Sequence, residues 1–292
     1  MLDEFKKGWY TEVCPLWPGR TLSMRVEEML LSVQSPFQLI EIFRAEGFGL
    51  TMALDGKIQC SVSDEFMYHE MIVHVPAFAH PAPETALVIG GGDGGCVREL
   101  ARHGTLRRID VCELDSMVVD AAKRHLPSLA CGFDDHRVKL HFDDGAKFIK
   151  NAPASYDLII IDAPDPIGPG EALFGEDFIA DARAALRPGG VISAQAESFI
   201  LHPEYSKRQA ALFAKLFEHW GYSFFPIPSY PGGSLGVCVA SASGEVRKPC
   251  RKPSAQFADG LRCYTPEYHV ASFCGPASWQ AFADALGKTC ER

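Results

Sequence analysis

Asp93, Glu113, Asp144 and Asp162 each stand at or just past the end of a short apolar run, at residues 86–89, 108–112, 138–142 and 156–161. In an α/β chain such runs are strands, and ligands of open α/β sheets bind outside the strands' carboxyl ends. Four carboxylates in that row suit a ligand that donates from hydroxyls and carries positive charge. Asp165 follows Asp162 by three positions, in a loop stiffened by Pro164, Pro166 and Pro169. Two carboxylates facing one cleft could hold a metal, but no His or Cys lies beside them in the chain, and a Mg²⁺–phosphate site would clash with the other acids. A diamine, with an ammonium at each end, is the better match.

The element that must position these acids is residues 86–96, Ala-Leu-Val-Ile-Gly-Gly-Gly-Asp-Gly-Gly-Cys. A continuous apolar run reads as a strand covered on both faces. Gly90 to Gly95 then make a turn that a ligand can approach closely, and a helix begins near Val97. The spacing Gly90-x-Gly92-x-x-Gly95 also fits a dinucleotide fingerprint. Asp93 argues against that use, because a pyrophosphate on the helix N-terminus would be repelled by a carboxylate in the loop. Asp93 either caps the helix or faces a cation, and the acids at the neighbouring strand ends favour the cation. Glu113 lies about 20 residues beyond the loop, where such folds place the acid that takes ribose hydroxyls.

The chain has 292 residues, 47% of them hydrophobic, with a formal net charge of −9 and a mean hydropathy of −0.01. That is enough for one large α/β domain and a smaller one. No apolar run reaches the ~18 residues of a membrane span, and the first residues lack the order of a signal peptide, so a cytoplasmic protein without membrane contact is expected. The acidic balance argues against nucleic acid and suits a cationic substrate. The ten cysteines form no C-x-x-C pair and read as free thiols.

Residues 1–63 read as a small β-rich domain and 64–292 as the catalytic one. Residues 38–44 alternate as a half-buried strand should, and Asp55-Gly56 is a hairpin turn between 49–54 and 57–60. The lead-in with Trp9 and Trp17 reads as irregular and is expected to pack on a partner subunit. A helix is predicted over 64–75, carrying His69 and His74. Further helices are predicted over 177–186, 204–220 and 277–286, and strands over 191–195, 222–227 and 235–240.

The turn Arg187-Pro-Gly-Gly190 resembles that of S-adenosylmethionine-dependent transferases. Such a cofactor sets its α-carboxylate against the glycine loop, where Asp93 would repel it; two unit charges about 4 Å apart interact by about 4 kcal/mol at an effective dielectric of 20. Decarboxylated S-adenosylmethionine has only an amine there. Several stretches together resemble the polyamine aminopropyltransferases, bacterial spermidine synthases among them: Gln38; Leu54-Asp-Gly-Lys-Ile-Gln59; Asp64-Glu-Phe-Met-Tyr-His-Glu-Met71; Gly90-Gly-Gly-Asp-Gly-Gly95; Cys112-Glu-Leu-Asp115; Gly132-Phe-Asp-Asp135; Asp144-Gly145; Asp162-x-x-Asp165-Pro-Ile-Gly-Pro169; Tyr230-Pro231; and Tyr264-Thr-Pro-Glu-Tyr-His269.

The resemblance implies a Rossmann-like S-adenosylmethionine-dependent transferase fold with a small N-terminal β-stranded domain. It implies that Gln38, Asp93, Glu113, Asp144, Gly145 and Pro169 hold decarboxylated S-adenosylmethionine as co-substrate. Tyr68, His69, Asp162, Asp165, Gln195 and Tyr230 would line the channel for putrescine or a similar diamine, with Asp162 the proton acceptor. It also implies no bound metal or permanent cofactor, and a homodimer or homotetramer. Ala163-Pro164 departs from the family's small polar residues, and proline there removes an N–H. Competing readings are an amine N-methyltransferase on the same scaffold, an NAD(P)-dependent oxidoreductase, and a silent polyamine-binding protein.

Overall fold

The computed structural model describes residues 7–164 and 168–286. Its first sheet has five antiparallel strands in sequence order: β1 (Trp9–Glu12), β2 (Leu22–Gln34), β3 (Leu39–Ala45), β4 (Gly49–Leu54) and β5 (Lys57–Ser61). Asp55 and Gly56, at φ +48° and +77°, make the expected tight turn. The lead-in is more regular than its sequence suggests. In β2 the inward apolar positions are Met24 and Val26, then Leu31 and Val33, because register shifts between Val26 and Glu28 and between Met29 and Leu31 change the phase. A strict period of two therefore misses the strand. Trp17 is buried and meets the His202 ring edge-on at 5.1 Å, so it packs within its own chain.

The second sheet has seven strands in the order β11-β12-β10-β9-β6-β7-β8. They are β6 (Thr85–Gly90), β7 (Arg108–Glu113), β8 (Val138–Phe142), β9 (Tyr156–Asp162), β10 (Leu186–Gln195), β11 (His219–Pro226) and β12 (Ser234–Ser241). β6 to β10 pair in parallel, while β12 runs antiparallel to both β10 and β11. The order reverses between β6 and β9, and a crevice opens at such a switch point. The fold is the Rossmann-like one expected, with the β-stranded unit in front. β10 starts at Leu186 rather than 191, since Leu186 already pairs with Tyr156 before a bulge at Arg187 to Gly190. The helix expected over 204–220 stops at Leu216, because Trp220 joins β11.

Helix α1 (Glu65–Ala79) joins the two units and is buried on nearly every side. Such a helix must satisfy its own polar groups. Pro76, with no N–H, leaves the Ile72 carbonyl without its helical donor; the Ser193 hydroxyl on β10 donates to it at 2.8 Å. Glu70 accepts the backbone N–H groups of Arg262, Cys263 and Tyr264, tying down the C-terminal segment. His74 is structural, held by Glu99 at 3.0 Å and His103 at 3.1 Å. One apolar cluster runs from Ile40, Met52 and Leu54 of the first sheet through α1 to Val88 and Ile160 of the second. No helix among the described residues is long and apolar enough to cross a membrane.

Candidate active site

The glycine loop links β6 to α2 (Gly95–Ala101). Gly90, Gly91 and Gly94 have positive φ, which only glycine adopts without strain. Their neighbours show what the loop leaves room for. A Cβ on Gly90 would lie 2.0 Å from the Asp162 carbonyl oxygen, one on Gly92 2.9 Å from Glu113 Oε2, and one on Gly95 2.2 Å from the His69 ring. The Gly91 N–H also donates to the Asp162 carbonyl at 2.9 Å. The loop, the end of β7, the end of β9 and α1 therefore close on one another.

Two connected lobes result. The first, about 890 Å³ including open solvent, is lined by Tyr68, Asp93, Asp162, Gln195 and Tyr230. The second, about 1330 Å³, is lined by Ile89, Leu114, Asp144, Gly145 and Leu173. Gln38, Glu113, Ala163 and Pro164 border both. So Asp144 and Gly145 stand apart from Asp93 and Asp162, with Glu113 at the joint. Asp144 also caps helix α3 (Gly145–Lys150), its Oδ1 accepting from the Ala146 N–H at 2.9 Å. Gln38 donates to Asp115 at 3.2 Å, and Asp115 N–H donates to Glu113 Oε1 at 2.9 Å.

The electrostatics divide the acids. Tyr68 donates its hydroxyl to Asp162 Oδ1 at 2.6 Å. Burial, and then the Asp93 charge, raise the Asp162 carboxyl above its ordinary range. Burial pushes Asp93 up as well, but the His69 charge and the Gly95 N–H at 2.8 Å outweigh it and hold Asp93 at about 2. Glu113 is pushed up to about 7, by burial above all and then against the relief of backbone N–H groups by the Asp115 and Asp162 charges. Cys60 and Cys96 are buried, and their thiols help to lower the Asp93 and Asp162 carboxyls respectively.

His69 does not face the lobe. It is 1% exposed, with Nδ1 on Glu65 at 2.6 Å and Nε2 3.3 Å from Asp93. Burial disfavours the imidazolium, but Asp93 and Glu65 together outweigh it and raise its pKa well above the ordinary value. Arg98 grips both oxygens of Glu65 at 2.8 and 3.0 Å. Tyr230 donates to the Gln59 carbonyl at 2.6 Å, and Gln195 to Glu197 at 3.2 Å. Asp165 lies outside the described residues, as does the side chain of Pro169.

Two further acids line the first lobe, Glu12 and Glu197. Glu197 had a signal, since it follows the end of β10 as the other acids follow theirs. Glu12 had none, because β1 was not read as a strand. The statement that no His or Cys lies beside Asp162 holds along the chain and fails in space: donor atoms of His69, Cys96 and Asp162 all lie within 4.8 Å of one another.

Residues 65–248 match the spermine/spermidine synthase domain, and residues 8–61 the spermidine synthase tetramerisation domain. The chain belongs to the spermine/spermidine synthase family. Among its relatives, a spermidine synthase of Solanum lycopersicum is 41% identical over 290 residues, covering 96% of this chain and 85% of the relative. A polyamine aminopropyltransferase of Leptospira biflexa is 41% identical over 279 residues, covering 96% and 99%. Two solved structures share the fold. A spermidine synthase in complex with the transition-state analogue AdoDATO superposes with a TM-score of 0.90 at 34% identity, over 95% of each chain. That of Thermotoga maritima gives 0.87 at 32%, over 96% of each. Aminopropyl transfer is the activity class of this family member, and the methyltransferase and oxidoreductase readings gain no support from these likenesses.

Proposed function

We propose that the chain transfers the aminopropyl group of decarboxylated S-adenosylmethionine to putrescine, forming spermidine and 5′-methylthioadenosine. The observation that carries this reading is the pair of lobes meeting at Glu113, one bearing Asp93 and Asp162 and the other Asp144 and Gly145. The nucleoside takes the second lobe, its ribose hydroxyls on Glu113 and its adenine beside Asp144 and Gly145, with Gln38 bordering it; Pro169 is a further candidate nucleoside contact on the family resemblance alone. The diamine takes the first, among Tyr68, Asp162, Gln195 and Tyr230, and Asp165 is a further candidate amine ligand on the family resemblance alone. Asp93 meets the aminopropyl ammonium, and His69 supports Asp93 from behind.

The reaction is an in-line displacement. The amine's lone pair forms the new N–C bond, and the C–S electrons return to sulfur, which loses its positive charge. The protein positions and desolvates the partners. A free amine with a Lys-like pKa near 10.4 must first lose a proton, which near neutral pH costs roughly 4 kcal/mol, and the surrounding carboxylates oppose that loss. Asp162 takes the proton. Its raised pKa makes it the better acceptor, and the Tyr68 hydroxyl on Oδ1 leaves the other oxygen to the amine. Ala163 and Pro164 border both lobes and bear on which amine length is preferred.

We divide the chain into an N-terminal unit of residues 1–63 and a catalytic unit of 64–292; the break between β5 and α1 supports this. The match of 8–61 to a tetramerisation domain supports a homodimer or homotetramer built through the first sheet, acting in the cytoplasm. The test is to incubate the purified protein with putrescine and either decarboxylated or intact S-adenosylmethionine, and weigh the products. Spermidine with methylthioadenosine from the first alone is expected. A methylated amine from intact S-adenosylmethionine, with no spermidine, overturns the proposal. A panel with 1,3-diaminopropane and cadaverine ranks the acceptors.

A further inference from the structure

Behind Asp162, which lines the amine lobe, lies a set of buried atoms that amine recognition alone does not explain. Ligand atoms of His69, Cys96 and Asp162 lie within 4.8 Å of one another. A point between them is therefore within about 2.8 Å of each, and small side-chain rotations bring it to zinc's ligand distances of about 2.0–2.3 Å. His69 Nε2 is fully buried and makes no aligned hydrogen bond, only the 3.3 Å contact to Asp93. Its other nitrogen is on Glu65 at 2.6 Å, and Arg98 fixes Glu65 in turn. A carboxylate on the far nitrogen is the arrangement that orients metal-ligating imidazoles.

We propose that His69 Nε2, Cys96 Sγ and a carboxylate oxygen of Asp162, with Asp93 beside them, bind a thiophilic divalent cation of the zinc class, and that the bound ion shuts out the amine. The donor set selects the ion. Mg²⁺ and Ca²⁺ take oxygen ligands, whereas one thiolate, one imidazole and carboxylates suit a borderline-soft tetrahedral ion. The negative charge that attracts an ammonium attracts a dication more strongly. On binding, the Cys96 thiol proton and the proton on His69 Nε2 pass to solvent, and no oxidant or reductant is needed. The ion also ties up the oxygen on which Asp162 would receive the amine proton, so free zinc inhibits by two routes at one site.

Exclusion of the amine rests on the function proposed above; metal binding does not. The full-length protein, free of nucleoside and amine, is titrated with Co²⁺ alone and followed by absorption. A sulfur-to-cobalt charge-transfer band is expected, lost in Cys96→Ala and requiring about tenfold more Co²⁺ in His69→Gln. Far-ultraviolet circular dichroism and cooperative thermal unfolding report that both variants are folded. No band at saturating Co²⁺ overturns the site. So does a band that survives Cys96→Ala, which would arise at the exposed Cys131, Cys250 or Cys274. In the second arm putrescine is added to the Co²⁺ complex. Loss of the band supports a shared site; a band that persists with saturating putrescine, yet needs Cys96, supports the metal site and overturns the exclusion of the amine.

Discussion

Replacing Asp93 with Asn tests how the loop chooses its ligand. Asp93 is charged in the folded protein, with its carboxyl held at about 2. An α-carboxylate set against the loop about 4 Å away would be repelled by about 4 kcal/mol at an effective dielectric of 20. The His69 cation offsets part of this. It sits 3.3 Å behind Asp93, hence about 7 Å from the ligand's carboxylate, and returns about 2.4 kcal/mol of attraction by the same relation. Glu65 and Arg98 lie farther back and largely cancel. The net penalty is about 2 kcal/mol, or roughly twentyfold in affinity. Asp93→Asn removes the repulsion and keeps the His69–Glu65 pair, so the preference for decarboxylated over intact S-adenosylmethionine should narrow by at least that factor. The assay compares the inhibition constant of intact S-adenosylmethionine with the KM of the decarboxylated form, in wild type and variant. Methylthioadenosine, with no charged tail, is the control and should bind both alike. An unchanged ratio would refute the electrostatic argument.

Asp162→Asn should lower kcat by roughly 10²- to 10⁴-fold while methylthioadenosine binding stays within a few-fold; turnover close to wild type removes Asp162 as the proton acceptor. Burial pushes the Glu113 carboxyl up to about 7, and in the proposed complex only its carboxylate form would accept both ribose hydroxyls. Calorimetry should therefore show methylthioadenosine binding more tightly as pH rises through about 7 with proton release, a trend that Glu113→Gln flattens and that a flat wild-type profile contradicts. His269 is fully buried and neutral, its pKa pushed down to about 4 chiefly by burial. Below its ordinary value of about 6.5 the unfolded chain binds a proton that the folded chain does not, so stability falls as pH drops toward 4, by about 2 kcal/mol between pH 7 and 5. Urea unfolding at the two pH values should show that loss in wild type and a smaller one in His269→Gln.

The parallel sheet and its row of acids were legible because β6, β7 and β9 are buried apolar runs and each of them, like the half-exposed β8, ends at or just before an acid. What was not legible depends on contacts between distant segments. In β2 the alternation changes phase at two bulges, so its thirteen residues carry no single period. His69 belongs to a motif whose spacing places it on the same helix as Tyr68, yet only packing decides that Tyr68 faces the cleft while His69 turns beneath Gly95. Cys60 and Cys96 sit in apolar surroundings and read as ordinary buried thiols. Their contacts with Asp93 and Asp162 exist only once α2, β5 and β9 converge. The end of α4 (Pro203–Leu216) differs from its sequence pattern for a related reason, since pairing with β12 overrides the helical pattern around Trp220.

The carboxylate beside the first turn of α2 bears on which adenosine compounds the site would admit. Asp93 Oδ1 takes the Gly95 N–H at 2.8 Å, and so fills from within the place at a helix N-terminus where a phosphate would otherwise dock. ATP, NAD and their relatives share the adenosine proposed above for the second lobe. Each would bring its phosphates against a negative charge already in possession of the donor. By supplying its own anion, the loop would turn the proposed site into a reader of nucleosides rather than nucleotides.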